Sequence, residues 1–153
     1  MRFIADHMLG TLAKWMRFLG FDTAYPDVLA DNELIELAKR EKRILLTRDK
    51  DLANVKGVEA LYIQNTDLDD QLVQVMRSYN LKVTDAFSRC SVCNSPLVTV
   101  EKASVEGKVP EKVYAWQDDY WKCTKCDKYY WPGTHFQGIK GKIEELQRKA
   151  SAA

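Results

Sequence analysis

Four cysteines fall in two matched pairs, Cys90-x-x-Cys93 and Cys123-x-x-Cys126, with 29 residues between the pairs. Two-residue spacing lets both thiolates of a pair reach one tetrahedral ion at a Zn–S distance of ~2.3 Å. A single pair is ambiguous with a redox motif; two matched pairs point to a zinc ribbon. Sulfur fills all four positions and leaves none open for water, so the expected zinc is structural. His135 is badly spaced from Cys126 to replace a ligand. Four thiols in this pattern suit a reducing, cytoplasmic setting better than a disulfide framework.

The second set is acidic. Asp6 ends a short apolar run, Arg2–Ala5. Asp31 opens a helical pattern after a second run, and Asp49 and Asp51 follow a third, Arg43–Thr47. If these runs are parallel strands, their C-terminal ends share one edge of the sheet, where open α/β proteins bind ligands. Carboxylates gathered there repel one another without a cation, and hard oxygen donors select Mg²⁺ or Mn²⁺. Each acid also has an ordinary reading. Asp31 and Asp49 are good helix N-caps, worth roughly 1 kcal/mol each, and Asp51 fits a solvated first turn. Asp6 alone has no capping duty readable from sequence.

The elements that must position these groups alternate. Leu9, Leu12, Met16 and Leu19 recur at helical spacing until Gly20. A weak strand, Asp22–Tyr25, precedes a helix from about Asp31 carrying Leu34, Ile35, Leu37 and Ala38. After Arg43–Thr47 come a short helix from Asp49 and a strand over Val58–Ile63. A long helix follows through Leu68, Leu72, Val75, Met76 and Tyr79, with Thr66 and Asp69 resembling its capping box. Strands alternating with helices predict α/β architecture, a parallel sheet flanked by helices. The expected division is an α/β domain at 1–86, a β-rich zinc ribbon at 87–137, with runs such as Leu97–Val100 and Lys112–Trp116, and a Lys-rich helical tail at 138–153.

The net charge of +1 conceals an asymmetry. Residues 1–87 carry 12 Lys/Arg against 14 Asp/Glu, and residues 88–153 carry 11 against 8. A zinc ion held by four thiolates adds −2, so bulk charge makes no case for nucleic acid and local patches must. Trp121, Tyr129, Tyr130, Trp131 and His135 interleave with Lys122, Lys125 and Lys128. That pattern suits base stacking and phosphate contact, or a small core that docks the ribbon on the first domain. No stretch approaches a membrane span, no signal peptide is recognisable, and neither GxxxxGK[ST] nor GxGxxG occurs.

The run Asp6, then Met8-Leu9-Gly10-Thr11-Leu12-Ala13-Lys14-Trp15-Met16-Arg17-Phe18-Leu19-Gly20-Phe21-Asp22-Thr23, resembles the opening of the PIN-like RNase family named for the C-terminal region of the Mut-seven exonuclease. Ile44-Leu45-Leu46-Thr47-Arg48-Asp49 resembles its second hallmark. Phe87-Ser88-Arg89-Cys90 through Asn94, Trp121-x-Cys123-x-x-Cys126 and Tyr130-Trp131-Pro132-Gly133-Thr134-His135-Phe136 resemble its ribbon motifs, with Thr134 where Ser is more usual. The resemblance implies a compact PIN-like domain with a zinc ribbon and Mg²⁺- or Mn²⁺-dependent RNA cleavage by Asp6, Asp31, Asp49 and Asp51. Glu33 competes with Asp31 as the helix-borne acid. The domain is shorter than a typical PIN domain.

On this reading, Lys14 and Arg17 lie on one flank of the first helix, away from its apolar stripe, where they can meet RNA phosphates; a solvated face is the plain alternative. Thr47 and Arg48 are candidates to bond a phosphate near the acids. One rival function is a non-catalytic RNA- or ribosome-binding ribbon protein with a vestigial site. Another is a small-molecule phosphohydrolase on the same sheet. Homo-oligomer or protein contacts through the ribbon are left open.

Overall fold

The computed structural model describes residues 1–152. Four parallel strands, β1 (Arg2–Ala5), β2 (Asp22–Ala24), β3 (Ile44–Thr47) and β4 (Ala60–Tyr62), lie in the order β2-β1-β3-β4. Between them run α1 (Gly10–Phe18), α2 (Asp31–Glu41) and the short α3 (Lys50–Ala53), and α4 (Leu68–Ser78) follows β4. The β1–β2 connection steps to one side of β1 and the next crossover lands β3 on the other. The order of the sheet therefore reverses between β1 and β3, the place where such sheets open a crevice.

Strand alternation explains two cores. Phe3 and Ala5 of β1, with Ile44 and Leu46 of β3, face Leu12, Met16, Leu72 and Met76 of α1 and α4. Ile4 and Leu45 point to the other face, against Leu34 and Ala38 of α2 and Leu52 of α3. Both faces are covered, so both strands are apolar along their length. Gly20 stops α1 as expected. Its φ is +91°, and a Cβ there would sit 2.2 Å from the Asp85 carbonyl oxygen.

The remainder forms a small antiparallel sheet, β5-β6-β7, from Leu97–Val100, Tyr120–Cys123 and Tyr129–Tyr130. Lys112–Trp116, expected within the β-rich ribbon, instead forms a helical turn, α5 (Glu111–Trp116). Pro110 at its N-cap and Glu111 in its first turn favour that outcome. The C-terminal helix α6 (Thr134–Ser151) starts inside the expected ribbon segment and is no loose tail: Ile143 and Leu146 are buried in the α1–α4 core. Asp67, not Thr66, caps α4, accepting from the Asp70 amide at 3.1 Å. Among the described residues, no helix is long and apolar enough to cross a membrane.

Candidate active site and cysteine cluster

The edge at the β1/β3 reversal carries Asp6 immediately after β1 and Thr47-Arg48-Asp49 at the end of β3. Asp6 is 3% exposed and Thr47 fully buried. The Thr47 hydroxyl donates to Asp6 Oδ2, and the Arg48 amide donates to the same oxygen at 3.2 Å. Met8 N–H donates to Oδ1 at 3.0 Å. Asp6 thus has a capping duty that the sequence conceals, on a 3-10 turn over His7–Leu9. Each carboxylate oxygen offers two acceptor positions, so one position on Oδ1 is left over. Thr47 Oγ1 in turn accepts from the Asp49 amide at 3.0 Å.

Asp49 is the N-cap of α3, its Oδ1 accepting from Asp51 N–H at 2.8 Å and Leu52 N–H at 3.2 Å. Asp51 lies in the exposed first turn of α3. Asp31 is the first residue of α2 and not its cap. Ala30 holds the N-cap position, and its amide reaches Glu33 Oε1 at 3.4 Å. A further acid, Asp27, lies in the loop after β2. The Tyr25 hydroxyl donates to the His7 carbonyl at 2.7 Å. Burial, then the charges of Asp27 and Asp6, raise its pKa. Asp27 was findable by the same rule as Asp31, since both follow β2 on the carboxyl edge.

Among the described residues, the four cysteines are the only set of three or more His, Cys, Asp or Glu whose ligand atoms gather within 4.8 Å. Asp6, Asp31, Asp49 and Asp51 therefore share an edge without forming a four-carboxylate cage. The donor set does fit Mg²⁺ in its usual manner, one or two carboxylates completed by water and substrate phosphate, because Asp6 Oδ1 and Asp49 Oδ2 retain acceptor capacity.

The expected RNA contacts divide. Lys14 is exposed. Arg17 is only 6% exposed. It donates to the carbonyls of Thr23 at 2.9 Å, Ser91 at 2.9 Å and Val92 at 3.1 Å, so it faces the cysteine ribbon and not solvent. Arg48 donates to the carbonyls of Ile63 at 3.0 Å and Asn65 at 2.6 Å, tying down the chain after β4. Thr47 spends its hydroxyl proton on Asp6. Arg17, expected on an open flank of α1, and Thr47, expected to bond a phosphate, therefore make internal contacts instead. Each side chain meets acceptors brought from distant segments, which helical and strand spacing do not display.

In the ribbon, Cys90 and Cys126 Sγ atoms lie 3.5 Å apart, and Cys93 and Cys123 Sγ atoms 3.3 Å apart. A tetrahedral zinc–thiolate site has sulfur–sulfur edges of about 3.8 Å, so the donors fit zinc. Burial raises the Cys93 thiol, but bonds from the Ser95 side chain and backbone, with Cys123 and Cys90, bring it down to about 6. Bonding to Cys123, burial and bonding to Cys90 push Cys126 up to about 12. Four adjacent thiolates need a cation to be ionised together. The Tyr130 hydroxyl lies 3.0 Å from Cys90 Sγ and supports one ligand from outside the set. His135 is no part of this cluster.

A parallel sheet flanked by helices, with an acidic edge at its reversal point and a small antiparallel sheet carrying four clustered cysteines fit to hold a metal, defines an α/β protein. The chain belongs to the Mut7-C RNAse domain family, whose model matches residues 1–143. It is 33% identical over 101 residues to the exonuclease mut-7 homolog of Homo sapiens, a stretch covering 61% of this chain and 12% of that protein. The chain thus spans a small fraction of that relative's length. No solved structure matches it.

Proposed function

We propose that the chain is a ribonuclease that hydrolyses RNA phosphodiester bonds at the carboxyl edge between β1 and β3, using Mg²⁺ or Mn²⁺. Family membership supports the activity. The observation that carries the site is the bond chain Asp49 amide to Thr47 hydroxyl to Asp6 carboxylate, which couples two acids from distant segments at the reversal point. The Thr47 hydroxyl and the Arg48 and Met8 amides fix the Asp6 carboxylate in rotation. Asp49, fixed by its own cap bonds, presents Oδ2 to the same edge. Asp31 and Asp51, with Glu33 as the alternative to Asp31, complete the field from exposed first turns. A divalent ion held here supplies an acidified water and neutralises charge developing on the phosphate. The zinc-loaded ribbon orders the chain through Arg17, which bonds the Ser91 and Val92 carbonyls. Four free thiols fit a cytoplasmic setting.

One observation favours a second reading, a non-catalytic RNA- or ribosome-binding protein. The acids do not gather as a cage, and Asp6 already accepts three hydrogen bonds that serve the fold. A single experiment separates the two. A mixed RNA pool is incubated with Mn²⁺ and either the wild-type chain or Asp6→Asn/Asp49→Asn. Cleavage by wild type alone supports the nuclease; equal cleavage, or none by either, removes it.

A further inference from the structure

We propose that a groove between α1, the cysteine ribbon and the start of α6 binds single-stranded RNA and leads it to the acidic edge. This deepens the ribonuclease reading, and rests on it, by naming the substrate as single-stranded. Two contiguous depressions, of about 390 and 640 Å³, share Lys14, Phe18, Thr134, His135 and Ile139. No carboxylate lines either one. That contrasts with the sheet edge, which carries Asp6, Asp27, Asp31, Asp49 and Asp51.

The lining combines two chemistries. Cations stand on opposite walls, Lys14 from α1 and Lys128 from the ribbon. Neither has an acidic partner within ion-pair distance among the described residues. Each ammonium is held over a ring, Lys14 at 5.9 Å from the Phe18 centroid and Lys128 at 5.3 Å from Tyr130. At the far end Lys142 sits 4.6 Å over Trp15, though it also pairs with Asp69 at 2.8 Å. Between them are half-buried Tyr129, Trp131 and Phe136, with His135 exposed. Aromatic faces flanked by free ammonium groups match unpaired bases on a phosphate backbone. A duplex keeps its bases stacked on one another and offers shape and phosphates instead.

Helix α1 joins groove to edge. Its first turn follows Leu9, whose amide bonds to the Asp6 carbonyl at 3.0 Å. Its last residue, Phe18, accepts from the Phe87 amide at 2.9 Å on the ribbon side. Lys14 lies four residues beyond Gly10, an axial rise of about 6 Å. RNA seated on Lys14 is thus delivered towards Asp6.

The test is fluorescence anisotropy of the zinc-loaded full chain with a labelled single-stranded RNA of mixed sequence, without added Mg²⁺ or Mn²⁺. Lys14→Ala/Lys128→Ala/His135→Ala is expected to weaken binding about tenfold or more and to lower the log–log salt slope by about 1.4, for two phosphate contacts. Lys14→Arg/Lys128→Arg is expected to hold affinity within about twofold, which separates lost charge from lost fold. A duplex of the same sequence should bind about tenfold more weakly. Unchanged affinity and slope in the triple variant, as for a groove that serves a protein, overturns the proposal; so does equal duplex binding. Hydrolysis of bis(4-nitrophenyl) phosphate with Mn²⁺ reads the edge separately. Its failure beside a groove-dependent binding signal would sink the nuclease and leave the groove standing.

Discussion

The guanidinium of Arg17, on α1, donates at 2.9 Å to the carbonyl of Ser91, inside the first cysteine pair. Two partners 74 residues apart in sequence thus join the sheet domain to the ribbon. Burial lowers the pKa of this side chain, while the charges of Cys90 and Cys93 raise it. Arg17→Met keeps most of the volume but leaves three carbonyls without their donor, two of the lost bonds being buried. A loss of about 3 kcal/mol in urea unfolding is expected, with Arg17→Lys recovering only part, because one ammonium lacks the planar fork. A change below about 0.5 kcal/mol in Arg17→Met would show the strut to be unimportant.

Thr47→Val exchanges a hydroxyl for a methyl of similar size. It leaves Asp6 Oδ2 without its closest donor and the Asp49 amide without its acceptor. Destabilisation of about 1–3 kcal/mol is expected, together with a fall in RNA cleavage of about tenfold or more, because Asp6 loses its fixed rotation. Thr47→Ser retains the hydroxyl and should keep most activity. Cleavage rates of the three proteins under saturating Mn²⁺ decide the matter. A fully active Thr47→Val would detach the bond chain from catalysis.

The strands β1 and β3 were legible because burial on two faces writes a continuous apolar run, as in Ile44-Leu45-Leu46. The placement of Asp6 and Asp49 on one edge followed; the strand order, and with it the reversal between β1 and β3, is seen only in the fold. Arg17 was not legible: a helical wheel sets it off the Leu12/Met16 stripe, and only the ribbon, folded back on α1, reveals what covers it. Asp6 hid its capping role because a 3-10 turn leaves no periodic trace. Asp31 looked like a cap by residue type, but Ala30 took the position when Glu33 reached its amide. Lys112–Trp116 misled through its β-branched and aromatic content, which Pro110 overrode.

Acid should unfold the chain partly through Asp22. Burial works to raise its carboxyl pKa, but hydrogen bonds from Arg43 at 2.7 Å and Asn94 at 2.7 Å, with the charges of Arg43 and Arg89, hold it below the ordinary value. A depressed folded pKa contributes stability that is complete above the unfolded value, near 4, and is lost as pH falls through the folded one. The expected window is therefore below about pH 4. Asp22→Asn should lower stability at pH 7 and flatten its decline between about pH 5 and pH 2. Parallel declines in both proteins would assign the acid sensitivity elsewhere.

Metal analysis of the purified chain should return one zinc per molecule, and Cys123→Ser should lose it. Cys123 is embedded in the ribbon: it ends β6, is 2% exposed, and accepts from the Cys126 amide at 3.3 Å. A zinc ion that binds only the folded arrangement turns its binding free energy into folding free energy. Stripping it with a strong chelator should therefore loosen the Cys90–Cys93 turn that supplies Ser91 and Val92 carbonyls to Arg17. Hydrogen exchange should then rise first in the ribbon and next in the α1 C-terminal turn, with β1 and β3 protected longest. Restoring zinc should reverse both changes. If chelation left exchange in α1 untouched while the ribbon opened, the two parts would fold independently and the Arg17 strut would carry no coupling between them.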